Sequence, residues 1–378
     1  MIDKYGCWTV NGKRFFKKYD ALLHATAVGG KVKFYYHDSV WRNFDRSLLG
    51  KQSLNSLYKQ RAQQLRDQYD YIIIYYSGGA DSNNVLYSFI NNNIKVDEIC
   101  VKWPKPLQDG KFYKADITNR SARNYWSEWD FAIKPELLKI NSQYPEIKIT
   151  IKDYTKDIHN FDIDFHCENL NFIRPGGIMV NTVVSDSEPD LISRGRTVGH
   201  VYGVDKPLLF VWQNKIYMFF NDQCLDQAGR SLINPMGTEC FYWTPDFPQL
   251  PFEQAYQLSR YYRNHPETHK YLWSIRDNKY THEEKTAINQ FQTDLARSLL
   301  YTTWDKRFQA DKQSSVDKRD KFSWIYEVDE LQDYRDRYFY NLKHRVVLID
   351  DEYLVRSSND AIPVFKDSLS NYFYVDTF

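Results

Sequence analysis

Paired cysteines are missing from this 378-residue chain. Its five, Cys7, Cys100, Cys167, Cys224 and Cys240, are scattered and form no C-x-x-C. That spacing excludes a disulfide framework and a structural zinc site of the common kind, and points to a reducing cytoplasm. A charge excess is missing as well: 50 Lys and Arg face 49 Asp and Glu, for a formal net charge of +1. The balance excludes a strongly basic nucleic-acid coat and an acidic solvating tail. No stretch reaches the roughly 20 apolar residues of a membrane span. The opening MIDKYGCWTV carries no signal-peptide apolar segment, so no membrane partner is expected. No internal repeat and no low-complexity segment is visible.

Aromatic residues are abundant instead, with 30 Tyr, 23 Phe and 10 Trp. They serve as core filler or, alternatively, as a surface for stacking bases. Without a matching basic excess the packing role is favoured.

Three segments are expected. Residues 1–66 read as a small α+β cap. Two short strands flank an Asn11-Gly12 turn, a short helix over Tyr19–Ala27 ends at Gly29-Gly30, and KVKFYYHD follows as a strand. From Ser53 to Tyr69 the residues Leu54, Leu57, Tyr58, Ala62 and Leu65 recur at helical spacing. Residues 67–225 read as an α/β domain. DYIIIYY (70–76) is a continuous apolar run of strand length, as in a buried parallel strand. SGGADS follows, then a helix with Val85, Leu86, Phe89 and Ile90 on one face, then a second strand over Ile94–Trp103. This βαβ order predicts a mostly parallel sheet, doubly wound, with the first strand central. Helices are expected over Asp116–Trp129 and Lys134–Tyr144, and strands over Ile147–Ile151, Thr197–Tyr202, Leu208–Trp212 and Lys215–Phe220. Ile178–Val184 is apolar and fits either helix or strand. Residues 226–378 read as a mainly helical part rich in Tyr and Trp, with helices at 252–263 and 282–300 and short strands beyond Arg345, serving a substrate or a partner.

The chemistry concentrates in Ser77-Gly78-Gly79-Ala80-Asp81-Ser82. Gly78 and Gly79 permit a sharp turn and leave no Cβ in a ligand's way. The N–H groups of the turn and first helical turn converge on one spot, where the helix dipole adds positive charge. The hydroxyls of Ser77 and Ser82 complete a cradle suited to a polyphosphate. Asp81 in such a cradle calls for a bridging Mg²⁺. The loop lacks both G-x-x-x-x-G-K-[ST] and G-x-G-x-x-G, so neither a Walker A loop nor the dinucleotide fingerprint is present.

SGGADS with its flanking strand and helix resembles the SGG-x-DS loop of the PP-loop ATP pyrophosphatases, also called the N-type or adenine nucleotide alpha-hydrolase-like family. Asparagine, GMP, NAD and lysidine synthetases and the tRNA sulfurtransferases are members. The resemblance covers about residues 67–103 and extends more weakly to about 222. Phage-encoded members show a similar arrangement. The resemblance implies an ATP site with Mg²⁺, in which Ser77, Gly78, Gly79, Asp81 and Ser82 hold phosphate and the neighbouring Tyr76 and Val101 complete the nucleotide pocket. It also implies attack of a substrate oxygen on the α-phosphate, release of pyrophosphate, and displacement of AMP by an amine or a sulfur species.

A second cluster, Gly199 to Pro207, ends a strand at the same crevice. Lys206 there balances phosphate charge, Asp205 binds Mg²⁺ or orients the lysine, and His200 is a candidate general base, with a surface turn and a structural histidine as the plainer readings. Arg120, Arg123 and Arg174 are candidates for an anionic second substrate; Arg194 and Arg196 share one face of an extended segment. Glu239, Phe241 and Trp243 either wall the site or pack. Within the family resemblance, the scattered cysteines argue against sulfur transfer, and Glu239-Cys240-Phe241 is only a trace of the reductases' E-C-G. Ile2 follows Met1 and Cys7 lies in a predicted strand, so no N-terminal-nucleophile glutaminase is expected, and ammonia would come from solution or a partner. The expectation is an adenylating ligase or amidotransferase-like synthetase acting on a small-molecule or nucleobase acceptor. Nucleic-acid modification and a non-catalytic nucleotide-binding module remain as alternatives. The loop is expected to be exposed, so that Asp81→Asn would leave folding near wild type.

Overall fold

A computed structural model describes residues 4–103, 129–153, 184–204, 206–222, 234–268, 282–304, 332–355 and 364–377. The Asn11-Gly12 turn forms as the sequence predicts. Both residues take positive φ, 48° and 83°, the twist that suits a two-residue hairpin between β1 (Cys7–Val10) and β2 (Lys13–Phe15). Helix α1 (Lys18–Val28) stops at Gly29, whose φ of 66° is the left-handed cap only glycine adopts easily. Strand β3 (Lys33–Tyr35) pairs with the other edge of β1, and a short helix α2 (Asp38–Arg42) follows.

Helix α3 (Leu54–Gln68) starts at Ser53, whose Oγ accepts the Ser56 N–H at 3.2 Å. It buries Leu54, Leu57, Tyr58, Ala62 and Leu65, the face its spacing predicts, and also Arg61. Strand β4 (Tyr71–Tyr75) carries Ile72, Ile73 and Ile74, all with no exposed surface. Burying each contributes about 1.5–3 kcal/mol, so this run anchors the fold. Then come α4 (Ala80–Ile90), β5 (Glu98–Lys102), a π-helical turn at Trp129–Ile133, α5 (Lys134–Gln143), β6 (Lys148–Lys152), α6 (Glu188–Ser193) and β7 (Val198–Tyr202). A hairpin, β8 (Leu208–Trp212) and β9 (Lys215–Phe219), turns through Gln213 and Asn214, both at positive φ.

After it come β10 (Thr238–Cys240), α7 (Gln249–Asn264), α8 (His282–Leu300), α9 (Gln332–Val346), and strands β11 (Leu354–Val355), β12 (Val364–Phe365) and β13 (Phe373–Thr377).

The main sheet has five parallel strands in the order β10-β7-β4-β5-β6, with β4 in the middle. Register fixes which helix covers which face. Thr238 pairs with His200 and Glu239 with Val201, so His200 and Glu239 point to opposite faces. Glu239 meets Arg61 of α3, whereas His200 meets Glu188 of α6. Helices therefore lie on both faces, an α/β arrangement compatible with double winding. From β4 the chain moves out through β5 to β6, then returns to β7 on β4's other side. The sheet thus reverses direction between β4 and β7, where open α/β sheets keep a crevice beyond the strands' carboxyl ends.

Several elements are absent from the sequence reading. The fifth strand, β10, comes from 238–240, and helices α2, α6 and α9 fall where none is predicted; Arg194 caps α6, so the segment carrying Arg194 is a helix end and not extended chain. In addition, β13 pairs with β9, so residues near position 375 complete a three-stranded antiparallel sheet begun at 208. One continuous buried cluster runs from Trp8 through the main sheet to Val375. Among the described residues no helix is long and apolar enough to cross a membrane.

Candidate functional site

Strand β4 delivers the Ser77–Ser82 loop to the crevice. Gly78 takes φ 68°, and a Cβ there would sit 2.6 Å from Ile133 Cγ1 of the π-helical turn. Both facts require glycine at this position. Ser82 Oγ accepts the Ser77 N–H at 3.2 Å and donates to the Gly79 carbonyl at 3.1 Å, and the Ser77 hydroxyl lies 3.2 Å from it. The two serines thus fold the loop onto the start of α4. The first-turn N–H groups of α4, at Ala80, Asp81 and Ser82, lack helical partners by geometry and face the crevice with the positive end of the dipole.

The other wall is the exit of β7. A Cβ on Gly203 would lie 2.9 Å from both Asp81 C and Ser82 N, so the two backbones touch there. This close approach brings Lys206 Nζ within 2.8 Å of Asp81 Oδ1. The Tyr301 hydroxyl, from the end of α8, donates to the same oxygen at 2.5 Å. Tyr242 donates to the Asp81 carbonyl at 2.9 Å and accepts from Asn84 at 3.1 Å. Burial opposes ionisation of Asp81, but Lys206, Arg297 and the Tyr301 hydroxyl overcome it and hold the carboxyl down at about 2. A permanently ionised carboxylate beside a lysine and a row of N–H donors can hold a cation and a polyanion side by side.

The loop is less open than the sequence suggests. Ser77 is exposed, but Gly78, Ala80 and Ser82 are buried, and only 21% of the Asp81 side chain is accessible. The expectation that Asp81→Asn would spare folding is corrected accordingly, because its carboxylate ties three elements together.

Tyr76 extends β4 by donating its N–H to the Cys100 carbonyl at 3.0 Å, and the hydroxyl of its buried side chain donates to Asn83 Oδ1 at 3.3 Å. Val101 is fully buried in β5. His200 is also fully buried, with Nδ1 2.9 Å from the Tyr75 hydroxyl and Nε2 2.7 Å from Glu188 Oε1. Both ring nitrogens are committed to protein partners, which fits the structural reading of this histidine. Asp205, Arg120, Arg123 and Arg174 lie outside the described residues, as do Ile178–Val183 and most of the helix expected at Asp116–Trp129.

Arg194 is exposed and pairs with Asp190, and Arg196 donates to the Asp70 carbonyl at 2.7 Å. Glu239 is buried at the sheet's edge, paired with Arg61 at 3.0 Å and Lys4 at 2.8 Å and receiving the Tyr69 hydroxyl at 2.5 Å. Phe241 and Trp243 are buried beside it, so these residues pack. Among the described residues no group of three or more His, Cys, Asp or Glu side chains could hold a metal ion by itself. A Mg²⁺ at Asp81 would need phosphate oxygens as further ligands, the usual way this ion is held.

A separate cavity of about 730 Å³ is lined by Tyr69, Thr197, Val198 and Gly237, which lead into β4, β7 and β10. It therefore sits at the strands' amino ends, remote from the loop.

The residues that the sequence reading missed come from a distance. Tyr301 and Tyr242 follow Asp81 by 220 and 161 positions, and nothing local marks them. Lys102, at the end of β5, is the exception: its place at a strand's carboxyl end beside the loop was a readable signal. Its Nζ lies 4.7 Å and 5.2 Å from the ring centroids of Tyr75 and Tyr202, which stack at 4.3 Å. Comparison with family models, curated proteins and solved structures gives no match.

Proposed function

We propose that the chain is an ATP-dependent adenylating enzyme of the PP-loop, adenine nucleotide alpha-hydrolase-like kind, one that splits ATP into AMP and pyrophosphate to activate an acceptor for amine transfer or ligation. The observation that carries this reading is the SGGADS loop lying where the parallel sheet reverses, with Asp81 and Lys206 meeting across the crevice at 2.8 Å. In this reading the N–H groups of the loop and the Ser77 and Ser82 hydroxyls hold the β and γ phosphates. Asp81, with Asp205, would hold Mg²⁺, which supplies charge neutralisation on the phosphate oxygens.

An acceptor oxygen attacks the α-phosphorus, and the bond from that phosphorus to the bridging oxygen of pyrophosphate breaks. Negative charge grows on the leaving group and on the α-phosphoryl oxygens. In this reading Lys206 stabilises that charge more in the transition state than before it.

Product analysis with α- and γ-labelled ATP, Mg²⁺ and a panel of acids, amides and nucleic acids tests the reading. AMP and pyrophosphate are expected; ADP and phosphate would overturn the reaction class. Lys206→Ala should lower turnover by about 10²–10³, the usual loss for one electrostatic contact, with a smaller loss of Mg·ATP affinity by calorimetry. Tight ATP binding without turnover on any acceptor would favour the binding-module alternative.

A further inference from the structure

Helix α8 brings two polar side chains toward the loop, and only one of them is used there. Tyr301, just past the helix end, donates its hydroxyl to Asp81 Oδ1 at 2.5 Å. Arg297 stands one helical turn earlier. Its carbonyl accepts the Tyr301 N–H at 2.9 Å, so the helical path continues from one to the other. Residues four apart share a helix face, and Arg297 lies near enough to Asp81 to help Lys206 keep that carboxyl ionised.

The guanidinium of Arg297 is poorly satisfied. Only 18% of the side chain is accessible, and its Nε is buried with no hydrogen-bond partner among the described residues. Its ion pair is with Asp294 on the same helix, where Nη1 and Oδ1 stand 3.8 Å apart. That separation is too long for a hydrogen bond. The Asp294 side chain is also 41% exposed, so water weakens the attraction. Asp81 does not fill the gap, because it pairs with Lys206 at 2.8 Å and receives Tyr301 on the same oxygen. Taking a guanidinium out of water without a close carboxylate is costly, and a buried donor left without an acceptor calls for one.

Two cations, Lys206 and Arg297, thus stand near the one carboxylate of the loop. Added to the N–H groups and positive dipole end of α4, they leave a surplus of positive charge that suits an anion of more than one charge. The planar fork of an arginine matches a pair of phosphate oxygens, which a single ammonium cannot do.

We propose that Arg297 grips the terminal phosphates of the bound nucleotide as a second cationic clamp beside Lys206, so that α8 forms a wall of the polyphosphate site. The proposal rests on the adenylation reading for what the anion is. It also gives the C-terminal part a task at the nucleotide. Phosphate oxygens seated on Arg297 link α8 to the start of α4, the same two elements that Tyr301 and Asp81 join without a ligand. The charge that grows on departing pyrophosphate then meets a group that no carboxylate holds at hydrogen-bond distance.

Calorimetry of the full chain with Mg²⁺ and inorganic tripolyphosphate tests the contact without turnover. Arg297→Met should weaken tripolyphosphate binding by about 10- to 100-fold, the range for hydrogen bonds to charged groups. Arg297→Lys should recover only part of the loss, because an ammonium lacks the fork. Affinity for AMP, which has no β or γ phosphate, should stay near the wild-type value. The urea midpoint of unliganded Arg297→Met should not fall, because the change removes a buried cation whose Nε bond is unmade. Unchanged tripolyphosphate affinity in Arg297→Met would overturn the proposal, as would a wild type that binds no tripolyphosphate. Equal losses for AMP and tripolyphosphate, or a lowered urea midpoint, would make Arg297 a structural support of Asp81 and overturn it too. A wild type that binds tripolyphosphate through Arg297 but turns ATP into ADP and phosphate would remove the adenylation reading and leave the polyphosphate contact standing.

Discussion

Lys206, on the segment leaving β7, reaches across the crevice to within 2.8 Å of Asp81 in the first turn of α4. The two elements that frame the candidate nucleotide site are therefore joined by an ion pair before any ligand enters. Asp81 serves as a structural tie and, in the proposed function, as a metal ligand.

Asp81→Asn tests that double duty. The substitution removes the charge that Lys206 faces and weakens the acceptor for Tyr301. Leaving such partners unsatisfied costs about 1–3 kcal/mol. Urea unfolding should show a lower midpoint with an unchanged slope, and calorimetry should show weaker Mg·ATP binding. Wild-type stability would mean that the carboxylate is not a tie.

Gly203→Ala probes the backbone contact between β7 and α4. The added methyl would sit 2.9 Å from two backbone atoms that cannot rotate away. Relief requires the strand exit and the helix start to separate, at a cost of about 1–3 kcal/mol. That movement would also carry Lys206 away from Asp81. The expected result is a lower unfolding midpoint together with weaker Mg·ATP binding, measured side by side with Asp81→Asn.

Glu239 gives a pH prediction. Burial alone would raise its carboxyl, but Arg61, Lys4 and the Tyr69 hydroxyl pull it below the ordinary carboxylate value. A depressed acid stabilises the fold at every pH above its unfolded value of about 4.3, and that contribution fades as pH falls through the lower folded value. Stability should therefore drop steeply below about pH 4. Glu239→Gln should flatten the drop and cost about 3–5 kcal/mol at pH 7, because Arg61 is left buried without its charge partner. Denaturant titrations from pH 7 to pH 3 read both effects.

The half of the molecule that rests on short-range pattern was legible. The isoleucine run of β4, the glycine turn, α4 and the Asn11-Gly12 hairpin stand where their spacing puts them, whereas β5 forms only over Glu98–Lys102 of the strand expected from Ile94. What escaped has a physical reason in each case. Strand β10 is three residues long and carries a buried glutamate, which reads as polar until Arg61 of α3 is found opposite it. Helix α9 is rich in charge, yet Tyr334, Tyr338, Leu342 and Val346 recur every four residues and are buried, so its signal was present and passed over. The Asp81–Tyr301 contact left no trace, because a hydrogen bond spanning 220 residues imposes no local spacing.

That span also sets a schedule for biosynthesis. Asp81 leaves the ribosome 220 residues ahead of the tyrosine whose hydroxyl completes its surroundings. At roughly 5–20 residues per second, the interval is roughly 10–40 s. Until α8 emerges, a nascent chain holds the Ser77–Ser82 loop without Arg297 and Tyr301, two of the groups that set the carboxylate's charge and position. In the proposed function, nucleotide should therefore find no finished pocket on a stalled chain that stops short of α8, and the crevice is completed only once that helix has been made.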